Sequence, residues 1–278
     1  MQLYVFQTSN RFKLDYKEEE IAVDVEPNKK TTLGVTVQYD FISFSIGFAP
    51  KFFADNKDNK YSRMTTFNFN MYPGRWMHHF DFYYQKGMML EADGFASVYL
   101  PNLKTFKIGG SSSYIFNENL SFRAFALQNE KQLKSAGSFA PGIMYYYTEF
   151  NGRKEEQLGG KIYLALVPSY YYNLLLTKSI FVAGGASLGI GFSYANDDDD
   201  YQDATLLTQA TFNLSAGYNS DTFYGGVYGK TVFSSHNADS NVRIGDNLNY
   251  ATAFIGYRFE ASRLVKKETK KLKNKLKL

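Results

Sequence analysis

The sequence predicts an all-β fold, a transmembrane antiparallel up-and-down β-barrel of about twelve strands, on three observations. Across positions 180–194 the even residues are Ile180, Val182, Gly184, Ala186, Leu188, Ile190, Phe192 and Tyr194. The odd ones are Phe181, Ala183, Gly185, Ser187, Gly189, Gly191 and Ser193. A period of two over that length is a strand, one face apolar and the other small and mostly polar. It is far longer than a soluble sandwich needs, whereas a tilted strand crossing hydrocarbon takes about nine to eleven residues and more outside it. Similar stripes recur along the chain, and the connections between them alternate short and long. Val182, Leu188 and Ile190 are therefore expected to face lipid, with Phe212 and Leu214 on the next stripe.

Composition agrees. Aromatics make up 18% of the 278 residues, Pro is scarce and Cys is absent, which suits strands and tight turns better than helices or disulfide frameworks. No apolar run reaches the roughly eighteen residues of a spanning helix. A mean hydropathy of −0.35 is compatible with a membrane barrel, because its strands alternate and average out. The opening Met1-Gln2-Leu3-Tyr4-Val5-Phe6 lacks the basic start, apolar core and cleavage site of a leader, so the sequence is expected to be a mature or trimmed chain. The net charge of +4 is uneven. Eight basic residues from Arg263 onward stand against Glu268 alone, so the tail carries +7 and the body −3. Nothing in that body resembles a nucleic-acid groove.

Taken in order, 2–16 reads as a strand with a break at Thr8 and Asn10, and 17–30 as a charged loop. Leu33, Val35, Val37 and Tyr39, then Ile42, Phe44, Ile46 and Phe48, form a hairpin with one apolar and one polar face. After a polar loop at 54–62, Phe67, Phe69 and Met71 lead through Pro73-Gly74-Arg75 to Phe80, Phe82 and Tyr84. A connection is expected at 89–104. A strand at 105–116 then turns at Asn117-Glu118-Asn119 into Leu120, Phe122, Ala124 and Ala126. Positions 128–137 break the pattern before 143–147 resumes it. Ile162, Leu164 and Leu166 open a strand that continues toward Tyr172, and 173–178 turns into the long stripe. Leu206, Thr208, Ala210, Phe212 and Leu214 begin the following one. The last strands lie at 222–233 and 250–259.

Short turns fall near 40, 73–75, 117–119, 173–178 and 219–221, and long connections at 17–30, 50–62, 89–104, 149–159, 195–203 and 234–247. Membrane barrels have short periplasmic turns, long outer loops and an even strand number. Twelve strands follow if 120–148 is a single irregular crossing, and fourteen if 128–137 hides another strand. The barrel then occupies 1–262 with both termini periplasmic, and 263–278 is a basic periplasmic tail. Val265, Leu272 and Leu276 share a helical stripe in that tail, which reads as partly helical.

Gly256-Tyr257-Arg258-Phe259 resembles the terminal strand signal of bacterial outer-membrane β-barrels, although about twenty residues follow it here. LGVTVQYDFISFSIGF, FNFNMYPGRWMHHFDFYYQKGMML and SFRAFALQNEKQLKSAGS resemble an uncharacterised barrel family of Bacteroidota. The resemblance implies the fold and a Gram-negative outer membrane, and it brings no catalytic residues.

Few constellations invite chemistry. His79 and Asp81 share the inward parity about 7 Å apart along the strand, but no serine sits in a nucleophile motif, so packing is favoured over catalysis. Asp197-Asp198-Asp199-Asp200 lacks the glycine and spacing of a calcium loop, and a solvated loop is the favoured reading. Parity turns Asp81, Lys107, Arg123, Lys161, Lys230 and Arg258 inward. They read as a neutralised polar network bracing the wall, or as a basic constriction selecting anions. Inward rings such as Tyr83, Tyr163, Phe181 and Tyr228 favour a narrow or closed lumen.

The expectation is a non-enzymatic outer-membrane barrel with a largely plugged lumen, a structural or accessory subunit of an outer-membrane complex. It needs no cofactor or metal. Its partners would be outer-membrane lipids and other outer-membrane or periplasmic proteins, not nucleic acid. A small-solute channel or transporter is the second reading, and an outer-membrane esterase using His79 the third.

Overall fold

A computed structural model describes residues 1–16, 21–25, 30–57, 63–90, 98–125, 130–151, 157–196, 204–237 and 242–276. Its strands are β1 (Gln2–Tyr16), β2 (Ile21–Val25), β3 (Lys30–Tyr39), β4 (Ile42–Phe48), β5 (Arg63–Met71), β6 (Trp76–Leu90) and β7 (Val98–Tyr114). They continue with β8 (Ala136–Ala140), β9 (Gly142–Asn151), β10 (Gln157–Leu166), β11 (Ser169–Leu175), β12 (Ile180–Asn196), β13 (Ala204–Asn219), β14 (Phe223–Asn237) and β15 (Val242–Tyr257). Two helices, α1 (Phe122–Phe125) and α2 (Arg263–Leu276), complete the described elements.

Every barrel pairing is antiparallel, and the sheet closes on itself where β1 meets β15, from Gln2 opposite Gly256 to Tyr16 opposite Val242. Closure removes the free edges that an open sheet exposes. Two crossings are each interrupted by a proline, which has no N–H to give the ladder. Pro141 separates β8 from β9, and Val167-Pro168 separates β10 from β11. The register carries through both breaks: Leu166 faces Ile190 and Ser169 faces Ser187 on β12, while Leu166 faces Ile143 and Ser169 faces Ala140. β8–β9 and β10–β11 are therefore one crossing apiece. β2 lies outside the ring, paired only with the far end of β1. The barrel has twelve strands.

Polarity is inverted relative to a soluble barrel. Leu188 is 68% exposed on the outside while its neighbour Ser187 is 7% exposed inside. Ile190, Phe212 and Leu214 are exposed like Leu188, Val182 is half-buried on the same outward face, and Ser215 and Thr211 are buried within. A continuous apolar exterior around a polar interior is stable only against hydrocarbon. No described helix is long and apolar enough to cross a membrane, which says nothing of a chain that crosses with strands.

The structure departs from the sequence reading in several places, among them 173–175 and most of 234–247, which are strand rather than turn or loop. β1 runs unbroken from Gln2 to Tyr16, and 21–25 is a strand paired to it rather than loop. The long connection at 89–104 is shorter than expected, since β6 and β7 stay paired to Leu90 opposite Val98 after a register shift at Gly87. That glycine has φ +81°, the left-handed backbone that a bulge favours. Ala126 lies outside the described residues, and residues 120–125 are not a strand. Their apolar side chains turn into the lumen, and the crossing assigned to 120–148 is 136–151.

One end of the barrel carries the chain ends and the tight turns, including Asp40–Phe41 and Pro73–Arg75; the other carries the longer connections. α2 lies at the first end, where Lys273 pairs with Asp40 at 2.6 Å and its ammonium stands 5.9 Å from the Phe41 ring centre.

Candidate functional site: a polar lumen with an inward-folded segment

Between β7 and β8 the chain does not turn back directly. Residues 117–125 and 130–135 fold into the lumen near the end that carries the termini. Local chemistry starts the inward bend. The Asn117 side-chain oxygen accepts from the Asn119 backbone N–H at 3.0 Å, and the Ser121 hydroxyl accepts from the Ala124 N–H at 3.0 Å, capping the single turn of α1. Phe125 and Ala124 are wholly buried, and Leu120 nearly so. Phe122 and Phe125 close on the inward Tyr171 ring at 4.9 and 5.1 Å between centroids. Gly185 leaves the room for this packing, since a Cβ there would stand 2.3 Å from Tyr171 and 3.2 Å from Phe125.

Polar clamps tie the segment to the wall. Asn173 donates to Gln132 at 2.7 Å and to the Ser121 carbonyl at 2.9 Å. Asn219 donates to the Glu130 carbonyl at 2.8 Å, and Ser215 to the Phe125 carbonyl at 3.1 Å. At the rim Lys131 pairs with Asp221 at 3.0 Å, which holds that exposed carboxyl below its usual range. Buried polar groups with partners of this kind rigidify a structure, whereas unpaired ones would cost it stability.

A second layer lies deeper in the lumen. His79 Nε2 meets Asp81 at 2.8 Å, and the Tyr146 hydroxyl donates to the same carboxylate at 2.6 Å. The Lys107 ammonium sits 4.6 Å above the Tyr146 ring. Lys230 is attracted by Asp81 and lies 5.8 Å from the Tyr250 ring, which stacks on Phe6. Tyr228 donates to Asn213 at 2.7 Å and Thr231 to Asn249 at 2.9 Å. Two lysines thus share one carboxylate and the faces of tyrosines, which leaves this layer of the lumen net positive.

A family model described as a domain of unknown function (DUF4421) matches residues 1–259. The chain belongs to the DUF4421 family. No curated protein matches it. Among solved structures, the COG4313 outer membrane channel from Pseudomonas putida F1 is 9% identical with a TM-score of 0.43, over 91% of this chain and 95% of that one. The translocator domain of autotransporter NalP from Neisseria meningitidis is 9% identical, TM-score 0.43, over 93% and 89%. Outer-membrane expressed OmpT of Vibrio cholerae is 8% identical, TM-score 0.37, over 91% and 97%. At these scores the likenesses carry no functional information, and the closed ladder of the DUF4421 chain itself establishes its outer-membrane β-barrel fold.

Of the six residues turned inward by parity, the DUF4421 barrel gathers Asp81, Lys107 and Lys230 into the deeper layer. Lys161 stands elsewhere, close enough to His236 to act on it electrostatically, with the Tyr163 ring edge-on to that histidine at 5.6 Å. Arg123 is not on a wall strand: α1 carries it into the lumen, 5.8 Å from the Tyr72 ring. Arg258 is not in the deeper layer either. It lies at the rim, donating to Asn219 at 2.6 Å and to the Ser220 carbonyl, 4.7 Å from the Tyr224 ring. Both ring nitrogens of His79 are occupied, by Asp81 and by Asn70. Among the described residues no group of three or more metal-ligating side chains occurs, and Asp197–Asp200 lies outside them. Parity missed the clamps Gln132, Asn173 and Asn219; an asparagine at 173 between three tyrosines and two leucines was their one local signal.

Proposed function

We propose that this DUF4421 barrel is a non-enzymatic outer-membrane protein with a largely plugged lumen, a structural or accessory subunit of a larger outer-membrane complex. The observation that carries the reading is the wholly buried Phe125, set among wall residues and held by the Ser215 hydrogen bond. A segment so packed across the lumen suits a wall and scaffold better than a pore. Its short turns and both chain ends share one end of the barrel, which supports a periplasmic placement of the termini and of α2. The matching segments quoted above support a Bacteroidota source. Partners would be outer-membrane lipids and neighbouring outer-membrane or periplasmic proteins.

Planar-bilayer conductance tests it. The wild-type protein should give no stable open level, and a persistent pore of many hundreds of picosiemens would contradict the plugged reading.

A small-solute channel is the second reading, favoured by Lys107 and Lys230 sharing the lumen with Asp81. It requires the inward-folded segment to move aside. An esterase using His79 is the third reading; the partners of that histidine, Asp81 and Asn70, favour a packing role over it.

A further inference from the structure

Three polar side chains meet on the outward face of the barrel. His78, Ser112 and Tyr145 all point outward, on β6, β7 and β9. Ser112 stands directly across from His78 in the ladder, its hydroxyl 2.9 Å from the imidazole Nδ1, and the Tyr145 hydroxyl is 3.3 Å from the same serine. Trp76 flanks this cluster, its ring parallel to that of His78 at 5.8 Å. The row lies two residues into β6, beside the barrel rim.

One row farther from the rim, Gly110 lies between Phe80 and Tyr145 in the ladder, and the two rings approach to 6.2 Å across it. Here a groove of about 700 Å³ opens, lined by Phe80, Phe82, Ile108, Tyr145, Tyr147 and Leu164. Tyr145 belongs to both features, its ring walling the groove and its hydroxyl joining the polar cluster. From rim to midplane the surface therefore runs from hydroxyls and imidazole to rings and aliphatics. This is the order of groups in a membrane phospholipid, whose glycerol esters lie at the interface and whose acyl chains point to the midplane.

We propose that this groove is a specific phospholipid-binding site on the outer wall. An acyl chain fills it, and the ester carbonyl accepts hydrogen bonds from the Tyr145 and Ser112 hydroxyls. The inference rests on the membrane-barrel reading and extends it from general lipid contact to one built site. It is a binding site rather than a hydrolytic one. Among the described residues no carboxylate or amide holds the second imidazole nitrogen of His78, as the orienting member of a catalytic triad would.

Trp76 is the only tryptophan of the chain, so its fluorescence reports on this site alone. The full chain in detergent micelles is titrated with phosphatidylethanolamine carrying brominated acyl chains, which quench a neighbouring indole. Wild type should quench saturably at low lipid mole fraction. Ser112→Ala and Tyr145→Phe should each shift the half-quenching point to about fivefold more lipid, the effect of one hydrogen bond. Ile108→Phe, which fills the groove, should abolish the saturable phase. Heat-modifiable gel mobility verifies that each variant is folded. Quenching that rises only in proportion to brominated lipid, alike in wild type and variants, would overturn the site and leave the plugged-barrel reading standing. Release of fatty acid by wild type but not by Ser112→Ala would replace binding by hydrolysis, and would end the non-enzymatic reading as well.

Discussion

The Ser215 hydroxyl donates to the backbone carbonyl of Phe125 at 3.1 Å, joining a wall strand to a segment ninety residues earlier in the chain. Phe125 is wholly buried beside it. Phe125→Ala should therefore cost about 3–5 kcal/mol, as other buried phenylalanine truncations do. Urea unfolding in lipid measures the loss. The same variant should raise bilayer conductance above the wild-type baseline, because the cavity it leaves adjoins the lumen.

Asp81 pairs with His79 at 2.8 Å, accepts from the Tyr146 hydroxyl at 2.6 Å, and acts electrostatically on Lys230. Asp81→Ala removes the partner of His79 and Tyr146 and the carboxylate nearest Lys230, and should destabilise by about 1–3 kcal/mol. Adding Lys230→Met to Asp81→Ala should recover part of that loss, since an apolar chain of similar length replaces the unbalanced charge. A double-mutant cycle from urea titrations reads the coupling. Strict additivity would show that the two groups do not act together.

Lys131 holds the Asp221 carboxyl below its ordinary value of 3.8. A group whose folded pKa is depressed contributes above its unfolded pKa, and the contribution is lost as pH falls through the folded value. The clamp between the inward segment and the rim should thus be intact at neutral pH and release only below about pH 3.8, the ordinary carboxyl value. Backbone hydrogen exchange over residues 130–135, followed across that pH, reads the release. Asp221→Asn should show the released pattern at every pH. Because Asp221 is exposed, the expected readout is local mobility rather than global stability.

Orientation is testable from outside the cell. Asn56 and Asn219 are buried and make poor reporters, whereas Phe52 and Asp221 are exposed at opposite ends of the barrel. With cysteines at 52 and 221, an impermeant thiol reagent on intact cells should label the first and spare the second. Equal labelling of both would contradict the proposed topology.

The wall was legible in the sequence because its signal is local: a period of two, sustained from Ile180 onward, needs no knowledge of distant partners. The same rule misled at Leu120, Phe122 and Ala124, whose alternate spacing imitates a strand. Ser121 offered a helix-cap signal there, but the outcome depended on Tyr171 and Ser215, far along the chain. Closure brings these together, and no local pattern encodes it. Arg258 shows the same limit. Parity placed its side chain inward, but not at the rim, where Asn219 and Ser220 receive it.

The account turns on Leu188 facing hydrocarbon. Leu188→Arg should destabilise the barrel by about 2–4 kcal/mol if it lies near the midplane, but a core leucine of a soluble sandwich would suffer comparably, so cost alone does not decide. The deciding measurement places a fluorophore at position 188 and quenches it with probes of graded bilayer depth. The barrel should fold only in detergent or lipid, with heat-modifiable mobility, and the deep probes should quench the label most. A monodisperse, folded protein in plain buffer, with the label untouched by bilayer probes, would contradict the membrane barrel.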